Sequence, residues 1–225
     1  MSRLGVRVST AMAVAVVVAA VGATLLAQPS MLNLVVGVAT LALLAVNIRL
    51  IPEERLAEFY TFSVWVFVVG SLLNVPYELW HSTYYAHFSQ PGLTYNDQVW
   101  TLLMASVSDG FLAVVSLLAM TAAQGGQWLL PRQGGRRAAA LVVLTSLGIQ
   151  VAVELEALAT GRWSYNDLMP LVPLLRVGLT PAAQMPALMI PILWLSHRLA
   201  RRDPSVAGAD SYVGASGPIP AGVIG

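Results

Sequence analysis

The chain of 225 residues contains no cysteine and no lysine. The first absence excludes disulfides, thiolate metal sites and a cysteine nucleophile. The second leaves arginine as the entire basic complement. The twelve arginines form no cluster of the kind that follows a phosphate backbone, so no nucleic-acid partner is expected. Histidine is scarce as well: there are three, His81, His87 and His197, and no H-E-x-x-H or other metal spacing occurs. There is no mid-membrane histidine pair for haems, no glycine loop for nucleotide phosphates and no arginine ladder for sensing voltage. Neither a metal nor a cofactor is therefore expected. The most telling scarcity is charge itself. Charged residues make up 10% of the chain and hydrophobic residues 57%, with a mean hydropathy of +0.71. A soluble domain carries about 25% charged residues. So few charges cannot cover a surface in water, and the chain reads as an integral membrane protein.

What is present is a series of apolar runs. Six are long enough to span: about Val8 to Ala27, Met31 to Ile48, Phe59 to Trp80, Val99 to Ala123, Ala138 to Ala159 and Pro181 to Leu199. The expected fold is all-α: a polytopic transmembrane helical bundle of about six spans over residues 1–202. The remainder, 203–225, is rich in Gly, Ala, Pro and Ser, has no periodicity, and is expected to be a disordered tail. Arg3 and Arg7 ahead of the first run resemble a signal peptide, but the run exceeds the usual length and no clean A-x-A site follows, so a retained helix is expected. With six spans, ten arginines fall on one side and only Arg162 and Arg176 on the other. That asymmetry predicts both termini in the cytoplasm, with Ser82–Gln98 and Thr160–Thr180 facing outward from an inner (plasma) membrane.

The acids divide along the same line. Glu53, Glu54, Glu58, Asp203 and Asp210 lie among arginines on the cytoplasmic side. Glu78, Asp97, Asp109, Glu154, Glu156 and Asp167 all fall in the outer half or its loops. A carboxylate at the bilayer centre costs roughly 2.5–3.5 kcal/mol, so such groups face the bundle interior and find partners. Asn74, Glu78, His81 and Tyr85 follow at i, i+4, i+7 and i+11, which predicts one polar stripe on the third span, interrupted by Pro76. Gln150 and Glu154 share a face of the fifth span, and Glu156 points the other way. Ser106 and Asp109 are neighbours on the fourth, and Gln184 lies on the sixth. Either these groups are interhelical clamps or they line a site. As a site, Glu78, Asp109 and Glu154 are the candidate catalytic groups. Asn74, His81, Trp80, Tyr85, Trp100, Arg162, Trp163, Tyr165 and Gln184 are the candidate substrate contacts, with Arg162 the natural counter-ion for an outer carboxylate.

Thr94-Tyr95-Asn96-Asp97 and Ser164-Tyr165-Asn166-Asp167 echo one another, each after a helix ending in Glu-Leu. They point to spans three–four and five–six as parallel copies of one hairpin, or to convergence on interfacial Tyr and helix-capping Asn-Asp. The stretch from Gly161 to Pro181 is too short and Pro-rich to span. It is expected to form a lid, a re-entrant turn or an interfacial loop.

Asn74-x-x-x-Glu78-x-x-His81, the mid-helix Asp109 and the run Glu154-x-x-Ala157-x-x-Thr160-Gly161-Arg162-Trp163-x-Tyr165 together resemble a family of small bacterial multi-span proteins. More broadly the layout is similar to integral-membrane terpene cyclases, and Pro52-Glu53-Glu54 resembles an element of membrane-bound lycopene cyclases. The terpene-cyclase resemblance implies a helical bundle whose embedded carboxylic acids protonate an isoprenoid epoxide or alkene. It implies that role for Glu78, and for Asp109 or Glu154. Three functions stand at this point: acid catalysis on a lipid-soluble isoprenoid, a small-solute or proton-coupled transporter, and a non-catalytic assembly protein. Membrane lipid is a partner in all three, and the oligomeric state is left open.

Overall fold

A computed structural model describes residues 31–89, 92–128 and 135–201. The expected first span and the tail from 203 onward lie outside the described residues. All regular structure within them is helical: α1 (Met31–Leu50), α2 (Glu53–His81), α3 (Tyr95–Ala123), α4 (Gly135–Thr160) and α5 (Leu179–Ala200). The helices α2 to α5 are each long and apolar enough to cross a membrane, and α1 carries a shorter apolar stretch, Leu34–Leu50.

α2 occupies the middle, packing on α3 and α5, while α4 packs on α5 and α3, and α1 lies against α3. At the end of the bundle near Ile51 the interior is mainly apolar. Phe59, Phe62, Val66, Leu117, Leu118, Met120 and Ile192 fill it, and the Trp128 ring closes it edge-on against Phe59 at 5.3 Å. Leu, Met and aromatic side chains suit such packing because they bring large dispersion contact and no hydrogen-bonding demand. The buried hydroxyls of Thr40, Ser116 and Thr121 donate to carbonyls of their own helices, whereas the Asn47 amide reaches another helix, donating to the Leu118 carbonyl of α3 at 2.9 Å and so clamping α1 in place.

The α2–α3 crossing decides where the polar groups meet. A Cβ on Gly70 would stand 3.1 Å from Cα of Gly110, and one on Gly110 would stand 2.8 Å from the Phe67 carbonyl oxygen. The two backbones approach this closely only because both positions lack a side chain. Asp109, one residue before Gly110, is thereby brought against Asn74 and Glu78, four and eight residues beyond Gly70.

α2 stops at His81, earlier than an unbroken stripe to Tyr85 requires. The hydroxyls of Ser82 and Thr83 donate to the carbonyls of Leu79 and Trp80, at 3.0 and 2.9 Å, and compete with the next helical turn. The chain then turns through Ser82–Tyr84 and is extended at Tyr85. α2 runs through Pro76 without a break in its assignment, and α5 likewise contains Pro186 and Pro191.

A two-layer carboxylate cluster under a tyrosine strap

The expected polar groups converge at the end of the bundle near His81. Asn74, Glu78, His81, Asp109, Gln150, Glu154 and Gln184 are all buried. They form two layers. In the deeper one the Gln184 side-chain nitrogen lies 2.9 Å from Asn74 Oδ1, 2.8 Å from Glu78 Oε1 and 2.7 Å from Asp109 Oδ2. Asn74 is held in register because its own amide nitrogen donates to the Gly70 carbonyl at 2.8 Å. An amide nitrogen carries two protons, so it cannot satisfy three acceptors. The Glu78 and Asp109 carboxyl oxygens both lie against this one nitrogen, at 2.8 and 2.7 Å, and two bare carboxylates this close would repel. Gln184, an expected substrate contact, is the hub of the deeper layer, a role that no local sequence pattern carries. Ser106, expected beside Asp109, is buried but donates to the Leu102 carbonyl at 2.9 Å.

The upper layer centres on Glu154. Its carboxylate accepts from the Tyr165 hydroxyl in a short contact, from Trp163 Nε1 at 3.3 Å and from the Tyr85 hydroxyl at 3.4 Å. The segment between α4 and α5 descends over the bundle as a strap. Ala86 N–H donates to the Ser164 carbonyl at 2.9 Å, and Asn166 N–H to the Tyr84 carbonyl at 3.0 Å. The Asn166 side chain adds a bond to the Thr83 carbonyl at 2.7 Å. Tyr165 points down from this strap, donating to Glu154 while accepting from Gly178 N–H at 2.9 Å. Burial, and then the carboxylate of Glu154, hold the Tyr85 phenol well above its usual range; burial and its bond to Glu154 do the same for Tyr165. Both remain donors across physiological pH.

His81 sits between the layers, 1% exposed. Its Nδ1 is 3.9 Å from Glu78 Oε1, and its ring meets that of Tyr85 at 4.8 Å and that of Tyr77 at 5.4 Å. The Tyr77 hydroxyl donates to the Thr180 carbonyl at 2.5 Å, tying α2 to the start of α5.

The remaining expected contacts lie elsewhere. Trp100 projects from the outer surface of α3 at 66% exposure, because its position on the helix turns it away from α2. Trp80 is half exposed and stacks edge-on with Tyr77 and Tyr84 at the periphery. Arg162 pairs with Glu156, not with the cluster, and lies over the Trp163 ring at 5.1 Å. Glu154 and Glu156 thus face opposite ways, as the two-residue offset predicts. The two tetrapeptides take different local structures. Thr94 and Asp97 form a reciprocal cap at the start of α3, whereas Ser164–Asp167 is strap, pairing at Tyr165 with Tyr85. Among the described residues no group of three His, Asp or Glu side chains is arranged to hold a metal ion.

On the α4–α5 seam lies an open apolar cleft of about 470 Å³ lined by Leu147, Val172, Leu179, Ala182, Ala183, Pro186 and Ala187. None of these residues belongs to the polar cluster, although Ala183 directly precedes Gln184 on α5. Comparison of the chain with protein-family models, with curated proteins and with solved structures finds no match.

Proposed function

We propose that the protein is a multi-pass membrane enzyme that protonates a lipid-soluble isoprenoid and so cyclises or isomerises it. The observation that carries this reading is the shared Gln184 nitrogen, whose two protons must serve three buried acceptors, two of them the carboxyls of Glu78 and Asp109. Such a pair is a store of one transferable proton in surroundings that exclude water. Glu78 or Asp109 gives that proton to an alkene carbon or an epoxide oxygen. The π bond or C–O bond opens to a carbocation, the electrons of a second alkene close the ring, and Glu154 takes up the proton finally lost from carbon. The three donors on Glu154 suit it to this last role, and the rings of Tyr77, Tyr84, Tyr85 and Trp163 suit a passing cation. The lateral cleft between α4 and α5 is of a size and polarity to lodge an isoprenoid tail from the lipid.

The reading includes six spans with both termini in the cytoplasm of a plasma membrane, and kinship of the α2–α3 and α4–α5 hairpins, whose Glu78 and Glu154 then correspond. The apolar packing of the opposite half argues against a polar path through the molecule, and therefore against a transporter. Glu78→Gln preserves shape and removes the acid. With protein in lipid nanodiscs and a panel of plain and epoxidised polyprenyl substrates, product formation by mass spectrometry should fall ~10²–10⁴-fold, the usual contribution of acid catalysis. Absence of turnover, together with a Glu78-dependent proton or solute flux in vesicles, would establish the carrier instead.

A further inference from the structure

His81 is nearly inaccessible to solvent, yet neither of its ring nitrogens has a hydrogen-bond partner among the described residues. Buried polar groups of this kind are normally paired. The neighbours of His81 explain what is missing. Glu78 lies 3.9 Å from Nδ1, too far for a direct hydrogen bond. One oxygen atom placed between them can bond both at ordinary lengths. The rings of Tyr77, Tyr84 and Tyr85 stand 5.4, 6.4 and 4.8 Å from the imidazole. Gln184 is committed to the deeper layer, Tyr77 to the Thr180 carbonyl, and Tyr85 and Tyr165 to Glu154.

We propose that His81 and Glu78 together form a seat for one ligand oxygen, so that the site selects oxygenated isoprenoids over hydrocarbon ones. This rests on the reading of the site as one for an isoprenoid, and it narrows the substrate class. An alcohol oxygen in the seat accepts from the ring N–H of His81 and donates its own proton to Glu78. An epoxide oxygen accepts from both the ring N–H and the carboxyl proton. A hydrocarbon does neither and leaves His81 unpaired.

Farnesol and farnesene, which share a carbon skeleton and differ in the hydroxyl, are suitable probes for the full chain in phosphatidylcholine nanodiscs. Equilibrium binding by tryptophan fluorescence should favour farnesol by about tenfold or more, the discrimination expected when one member of a buried hydrogen-bonded pair is removed. His81→Leu should weaken farnesol by a similar factor and leave farnesene unchanged, and His81→Gln, which can still donate and accept, should recover part of the loss. In protein carrying ¹⁵N-histidine, with His81 assigned from the His81→Gln spectrum, its ring signals should move with farnesol and stay with farnesene. A merely structural histidine would not make that distinction. Equal binding of the two probes, binding of neither, or farnesol binding indifferent to His81→Leu each overturns the proposal. His81-dependent farnesol binding without turnover of any isoprenoid would uphold the seat and sink the acid catalysis. Turnover with binding indifferent to His81 would do the reverse.

Discussion

The deeper carboxylate layer depends on one neutral side chain. Gln184→Met keeps volume and removes the nitrogen that Asn74, Glu78 and Asp109 share. A buried acceptor stranded in this way costs about 1–3 kcal/mol, and unfolding in mixed micelles should register a loss of that order. Gln150→Met is the comparison: Gln150 is also buried, but its carbonyl oxygen has no partner to lose among the described residues, so its loss should be smaller. Equal losses would mean that the Gln184 contacts contribute nothing specific. At the upper layer, Tyr165→Phe keeps the ring and deletes both the bond to Glu154 and the acceptor for Gly178 N–H. The strap should then be cut faster in limited proteolysis, at positions between Trp163 and Gly178, with the helices intact; an unchanged rate would assign strap order to the main-chain pairing alone. The sequence made the inward facing of Glu78, Asp109 and Glu154 legible, because helical spacing and the cost of a charge in lipid act residue by residue. It could not reveal that Gln184 is a hub or that Tyr165 reaches down to Glu154. Those relations join residues 106 and 11 positions apart across a fold whose packing no local pattern encodes.

The apolar runs locate the four long helices α2 to α5 but not their ends. α2 begins at Glu53, six residues ahead of the apolar run, because acids at a helix N-terminus interact favourably with its dipole and extend it past the hydrophobic boundary. It ends at His81, where hydroxyl groups compete for its last carbonyls. What holds α2 against α3 was hidden, since a glycine inside a helix reads locally as mere weakness. Gly110→Ala would place a methyl 2.1 Å from Ser71 Oγ and 2.8 Å from the Phe67 carbonyl oxygen, and the second of these cannot rotate away. The helices must part, at a cost of about 1–3 kcal/mol. Gly70→Ala meets nothing closer than 3.1 Å and should cost less. Unfolding midpoints of the two variants check the order, and Gly110→Ala should also lower turnover by moving Asp109 off Gln184. A Gly110→Ala protein as stable as the parent would show that the crossing tolerates separation.

For the molecule as a whole, polarity is sorted to one end: carboxylates, tyrosines and strap near His81, apolar packing near Trp128. The arginine asymmetry predicts that the His81 end faces outside. With no native cysteine, Leu174→Cys on the strap, at 95% exposure, and Gln127→Cys beyond α3 test this directly. A membrane-impermeant thiol reagent should label the first only from the exterior and the second only from the cytoplasm; labelling from the same side would overturn the topology. The shared amide also sets an order of events during synthesis. Glu78 and Asp109 leave the ribosome well before Gln184, and Glu154 leaves before Tyr165. Until α5 is made, Glu78 and Asp109 lack the amide they share, and until the strap is made Glu154 has Tyr85 but not Tyr165 or Trp163. The strap and the last helix thus supply, late in synthesis, the hydrogen bonds that acids made earlier require.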